Sequence, residues 1–237
     1  MVPEVLAPAG LTQALRIVGT ILVAFALPVL LLTQSVRAVT LDTDFYMREF
    51  AKYHIGQVTR LSDPQLRGIT QGFVDYFQAP PGPIDLYVTL AGHDQALFND
   101  REVQHMVDVQ TLMERVFQAR FMASIALMLG IVAIAAGGLT SAGPALARAG
   151  LIGGGITVLL IGLLALGSMI DFETLFLQFH YLSFSNSLWL LDPATDRLIQ
   201  LFPEGFFYDA ALRIGLQTVG EGIVIGIGSA IALRFIG

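Results

Sequence analysis

The chain has 237 residues, of which 54% are hydrophobic and only 14% charged, with a mean hydropathy of +0.68. Soluble domains carry about 25% charged residues, so this composition is that of an integral membrane protein. The absence of cysteine excludes disulfides, thiolate catalysis, Fe–S clusters and Cys-ligated zinc. A net charge of −6 speaks against nucleic acid and against a polybasic headgroup clamp. The four histidines are then the only side chains that ordinarily titrate near neutrality.

The first element is an uncharged run, Ile17 to Val36, long enough to cross a bilayer, which takes about 20 apolar residues. It exceeds the apolar region of about 7–15 residues in a secretion signal and reads as a retained anchor. Beyond it, the aromatic stretch Phe45 to His54 predicts an amphipathic helix on the membrane surface, with His54 at its end. Ser62 and Gln65 form a capping box around Pro64, and Leu66, Ile69, Phe73, Tyr76 and Phe77 continue at helical spacing until the run Pro80 to Pro83. Ile84 to Leu90 alternates as a strand does, and His93 reads as a turn residue. A second box, Asn99 with Glu102, opens a helix that runs through His105, Asp108 and Arg115 into a second span, Phe121 to Ala147.

The Gly/Ser/Pro stretch from Gly137 to Pro144 predicts the turn of a helical hairpin, followed by a third span from Ala149 to Ile170. In the next polar segment, Trp189 to Leu191 and Arg197 to Phe202 flank Asp192 to Asp196 as a hairpin. The fourth span, Ile214 to Leu233, contains Glu221, read as a buried structural acid near the Arg213 face. Arg16, Arg148 and Arg234, against Glu4, place the termini and the short turn in the cytoplasm. The expected fold is a membrane all-α core, a four-transmembrane-helix bundle with a small extracellular α+β cap. Its parts are an N-terminal segment and first span (1–36), an extracellular domain (37–118), a span hairpin (119–170), an extracellular aromatic-rich segment (171–209) and the last span (210–237).

Two places can carry chemistry. Arg101, His105 and Asp108 are spaced i, i+4 and i+7, so a cation, an imidazole and a carboxylate share one helix face; an ordinary solvated face could carry the same three. Residues 172–208 hold ten of the chain's 23 aromatics; a membrane-surface belt explains some of them, but not the polar groups between them. Interleaved with them are His180, Ser183, Ser185, Asn186, Ser187 and Asp192. Aromatics with a few convergent polar groups suit an amphiphile with an apolar tail and a hydrogen-bonding head. No close pair of histidines marks a metal site, no Gly-x-Ser-x-Gly elbow is present, and the glycine runs at 152–156 and 220–228 lie in apolar spans where they serve helix packing. Neither a metal nor another cofactor is expected.

The pairing of Asn99-Asp-Arg-Glu-Val-Gln-His-Met-Val-Asp-Val-Gln110 with Phe179-His-Tyr-Leu-Ser-Phe-Ser-Asn-Ser-Leu-Trp-Leu-Leu-Asp-Pro193 and Leu198-Ile-Gln-Leu-Phe-Pro-Glu-Gly-Phe206 resembles the membrane family that includes the lipoprotein intramolecular transacylases of monoderm bacteria. The resemblance spans nearly the whole chain, with Ser187 standing where an acid is expected. It implies a multi-pass enzyme of the bacterial cytoplasmic membrane, with its active site on the extracellular face and membrane lipid and a diacylglyceryl lipoprotein as partners. The reaction moves an acyl chain from the glyceryl group to the α-amine of the lipoprotein's N-terminal cysteine, leaving a lyso-form.

His105 and His180, one in each motif, are the catalytic candidates; Arg101, Asp108, Ser183, Asn186, Trp189 and Asp192 are those for binding or orienting substrate. The chemistry needs a neutral amine, whose pKa is about 7.7–8.0, and a base near neutrality. Arg101, the Asn186 amide or the Trp189 indole could meet the oxyanion. Direct transfer and an acyl-histidine intermediate both remain open. A non-catalytic lipid-binding protein is the reading from a different class.

Overall fold

The computed structural model describes residues 9–90 and 92–236; Glu4, counted above with the cytoplasmic end, lies outside them. In chain order the elements are α1 (Ala9–Thr40), α2 (Thr43–Lys52), α3 (Ile55–Thr59), α4 (Asp63–Gln78), β1 (Tyr87–Leu90), β2 (His93–Ala96), α5 (Asp100–Ala136), α6 (Leu139–Ile170), α7 (Phe172–Ser183), α8 (Arg197–Leu201) and α9 (Glu204–Ile236). They divide into two compact units. One comprises Met1–Ser35, Gln118–Ala165 and Gly215–Gly237; the other comprises Val36–Phe117 and Leu166–Ile214.

The first unit is built from α1, α5, α6 and α9, each long and apolar enough to cross a membrane. Glycines let these helices approach closely, as small residues do where lipid supplies no hydrophobic drive between helices. A Cβ added at Gly154 would lie 2.6 Å from the Gly222 carbonyl oxygen, and one at Gly19 the same distance from that of Gly130. Val23, Leu27, Ile134, Ala145 and Ala149 fill the contact. Phe25, Met128, Leu160 and Val224 point outward without protein cover, as lipid-facing residues do. The reversal between α5 and α6 is made by Gly137 and Gly138 alone, Gly138 at φ +121°. The second span therefore ends at Ala136, not Ala147, and Pro144 lies inside α6. Two glycines suffice for the turn, so the residues after them are free to start the next helix.

The second unit has its own core, where α2, α4, α8 and the start of α9 bring aromatic rings together. Phe73 meets Phe202 edge-on at 4.8 Å between centroids, and Phe206 packs on Phe45, Tyr46 and Phe50. The aromatic face of α2 is thus turned into protein, where the sequence suggested a membrane surface. His54 sits after α2 in the left-handed region, φ 53°, and is exposed. The Ser62–Gln65 box opens α4 as expected, with the Ser62 N–H donating to Gln65 Oε1 at 3.0 Å. Buried Gln110 of α5 holds the proline turn: its Nε2 donates to the Tyr76 carbonyl at 2.8 Å and its Oε1 accepts from the Gly82 N–H at 3.0 Å.

Two expectations change here, at His93 and at Asp192–Asp196. His93 is the first residue of β2, paired with Leu90 across a turn at Gly92. The hairpin expected around Asp192–Asp196 is instead a turn leading into α8, because Asp192 and Asp196 bind backbone N–H groups locally. Arg213 donates to Asp42 at 2.7 Å, while Glu221, two helical turns further on, accepts from Gln217 at 3.2 Å.

Candidate active site

The amino end of α5 is fixed by reciprocal capping. Asn99 Oδ1 accepts the Arg101 and Glu102 N–H groups, and Glu102 Oε2 accepts the Asn99 N–H at 2.8 Å. Glu102 is almost fully buried, and its other oxygen takes the Leu198 N–H at 2.6 Å, capping α8 in place of a local side chain. Burial raises the Glu102 pKa, while these backbone bonds oppose the rise. This anchor sets the rotation of α5, and Arg101, His105 and Asp108 face the segment 180–189.

His180 comes from α7, four residues after Phe176. Its Nδ1 lies 2.7 Å from the Phe176 carbonyl oxygen; a carbonyl only accepts, so Nδ1 carries the proton and Nε2 of the neutral ring keeps its lone pair. The His105 and His180 rings are 6.4 Å apart, inclined at 32°. Phe184 packs against both, at 5.2 and 5.7 Å, and Trp189 lies over His180 at 4.9 Å.

Both imidazoles stand in the part of the chain that precedes or follows the apolar spans, α5 being polar as far as Arg120. His105 is 7% exposed. Burial, reinforced by the nearby His180 and opposed by Asp108, lowers its pKa to about 4. Burial also lowers that of His180, against the bond from Phe176. At neutral pH both rings are uncharged.

The loop after α7 is latched onto α5 at two points. Arg101 Nη2 donates to the Ser187 carbonyl at 2.8 Å, and the Asn186 amide donates to Asp108 Oδ2 at 2.8 Å. Asn186 Oδ1 accepts the Leu188 N–H at 3.0 Å, and the Trp189 indole N–H donates to the Asn186 carbonyl at 2.9 Å. The Asn186 amide and Trp189 indole are therefore engaged in holding the loop, and Arg101 alone of the three oxyanion candidates keeps a nitrogen, Nη1, clear of these bonds.

A sequence profile described as lipoprotein intramolecular transacylase Lit matches residues 21–207, most of the chain. The chain belongs to this family. It is accordingly an intramolecular acyltransferase of lipoproteins. The fold agrees with a solved structure of the membrane-integral lipoprotein intramolecular transacylase Lit from Bacillus cereus. That structure has TM-score 0.80 at 20% identity, covering 94% of this chain and 97% of that one. Two further structures of the same Bacillus cereus protein, with a histidine replaced by arginine or by alanine, match at TM-score 0.73 and 19% identity; each covers 94% of this chain, and 93% and 95% of theirs. A comparison with curated proteins gave no match.

In this transacylase, six of the eight singled-out residues converge: Arg101, His105, Asp108, His180, Asn186 and Trp189. Ser183 ends α7 beside Phe184, half-buried. Asp192 closes its own turn through the Ala194 N–H at 2.9 Å. His54 and His93 are exposed, and neither joins the cluster. Sequence reasoning passed over Phe184 and Phe176. Phe176 had a usable signal, its i−4 spacing to His180, which needed only the recognition of α7 as a helix; nothing distinguishes Phe184 from its aromatic neighbours.

Proposed function

We propose that His105 and His180 are the catalytic pair of this transacylase, with His180 as base and His105 as a neutral hydrogen-bond donor. The observation that carries this reading is the facing of two uncharged rings, 6.4 Å apart, one with its Nδ1 proton fixed by a carbonyl. The substrate is the diacylglyceryl cysteine at the amino terminus of a lipoprotein. Its neutral α-amine attacks the ester carbonyl, and Nε2 of His180 takes the proton that the nitrogen sheds. A base below the usual histidine range suffices, because the attacking nitrogen becomes strongly acidic as the C–N bond forms.

The carbonyl oxygen becomes an oxyanion, met by an N–H of His105 and by Nη1 of Arg101. A buried imidazole held neutral still donates one hydrogen bond, and it does so without carrying its own proton load into the site. On collapse the C–O bond breaks, and the glyceryl oxygen recovers the proton from His180. One ester and one amine become one amide and one alcohol, and the enzyme is unchanged. Donor and acceptor belong to the same residue, so alignment supplies most of the advantage.

We place this site on the outer face of the cytoplasmic membrane, supported by Arg16, Arg148 and Arg234 at the opposite ends of the spans. The test is mass spectrometry of a diacylglyceryl lipopeptide incubated with purified protein. His105→Ala and His180→Ala should each lose at least about 100-fold in turnover, whereas His54→Ala and His93→Ala should convert it normally. Near-normal turnover in both of the first two variants, on monodisperse protein, would overturn the assignment.

A further inference from the structure

Most of the twelve residues of α7 are apolar or aromatic, and none of them is buried. One face is accounted for: Phe172, Phe176 and His180 turn inward, Phe172 to Tyr208 and Phe176 to Phe207. Leu175, Phe179 and Leu182, spaced i, i+4 and i+7, form the open face, with exposures of 37%, 46% and 86%, although one Leu175 methyl lies against α6 near Gly167. Twelve residues rise about 18 Å, against a hydrocarbon core of about 30 Å. A helix this apolar, uncovered by protein and too short to cross, belongs in the plane of the membrane surface.

The residues that lead into the helix show what covers it. The last turns of α6, which lead out of the third span, expose Leu166, Met169 and Ile170, and only Asp171 separates them from α7. The Asp171 carboxylate accepts the Thr174 N–H at 3.0 Å and so caps the new helix where the chain turns. The exposed apolar surface of these last turns therefore continues directly into α7. With no lysine or arginine and a single acid, Glu173, the helix suits the acyl and glycerol zone and has nothing to bind anionic headgroups.

We infer that the Leu175–Phe179–Leu182 face of α7 is buried in the outer leaflet, and that the lipid substrate reaches the histidines sideways, across the Phe179 edge of this helix. Phe179 belongs to both surroundings: it is half exposed on the outer face, and its ring lies 5.4 Å from His180 and 6.3 Å from Phe184. The ester groups of a diacylglyceryl unit lie at the depth of an in-plane helix. Reaction then needs no extraction of either chain into water. The route rests on the histidine reading above; the burial of the helix does not.

Because the chain lacks cysteine, single cysteines report depth cleanly. Leu182→Cys and Leu175→Cys, with Thr89→Cys of the exposed β1 surface as reference, are labelled with an environment-sensitive NBD probe in phosphatidylcholine vesicles containing nitroxide lipids. Emission at 182 and 175 should be blue-shifted, and quenched several-fold more than at 89. Probes at 182 and 175 as wet and as weakly quenched as at 89, in protein that still turns over lipopeptide, would overturn the inference. The same reading on a His180→Ala background separates the two claims. A lipid-buried α7 beside an undiminished turnover refutes the chemistry alone, and a water-exposed α7 in an enzyme that needs His180 refutes the surface alone.

Discussion

His105 adds to stability only while it is uncharged. Its pKa in the folded chain is about 4, against about 6.5 in an unfolded one. As the pH falls through 6.5 the unfolded chain takes up a proton that the folded chain refuses, and the difference grows until the folded ring protonates near 4. The contribution is thus complete above 6.5 and progressively lost below it, reaching about 2.5 kcal/mol at pH 4.5. His105→Gln keeps a polar side chain there and removes the titration. Asp42 and Asp209, both held below the ordinary carboxylate range, titrate in either protein and cancel in the comparison. Between pH 7.5 and 4.5 the unvaried protein should lose roughly 5–10 °C more in Tm than His105→Gln, for a chain of this size. Thermal unfolding of both in one detergent, followed through Trp189, measures it. Parallel loss in the two proteins would refute a neutral, desolvated His105.

Direct transfer predicts an acid limb set by the substrate amine, near pH 7.7–8.0, so turnover should fall about 40-fold between pH 8 and 6. A rate that stays flat to below 6.5 would instead require an acyl-histidine formed in the slow step. Asn186→Leu cuts the bonds to Asp108 and Leu188; the emission of Trp189, the single tryptophan, should shift to the red and turnover should drop about tenfold, the loss expected from one charge-assisted bond. An unaltered spectrum would show that the loop holds itself. Gly154→Leu forces a side chain against the Gly222 carbonyl and should destabilise the span unit by about 1–3 kcal/mol, read as a lowered Tm; an unchanged Tm would mean that the helices do not pack this closely.

The four spans were legible because an uncharged run of about 20 residues has few other uses. Both capping boxes were legible because Ser62 with Gln65, and Asn99 with Glu102, satisfy helix-end N–H groups through local bonds alone. The convergence of Arg101, His105 and Asp108 followed from period alone; their partners 186 and 187 did not, because those bonds join positions 78 and 86 residues apart. The segment 172–183 escaped as a helix because its apolar residues run almost all round it and leave no clear stripe. The start of α8 was misread for another reason: its cap is Glu102, 96 residues earlier, and no local pattern could announce it.

Arg101, His105 and Asp108 occupy a single face of one uninterrupted helix, and both outer members hold the loop that covers the third. Each added or deleted residue turns everything beyond it by about 100°. A one-residue insertion between 101 and 108 therefore turns one latch by about 100° relative to the other and leaves the histidine in line with only one of them. This stretch of α5 can vary in composition but not in length. The tip of the β1–β2 hairpin at Gly92, exposed at the surface, has no such register to keep. Insertions that natural or designed variants of this chain accept should gather there, and a library of random single-codon insertions would show residues 101–108 as a gap between tolerant positions.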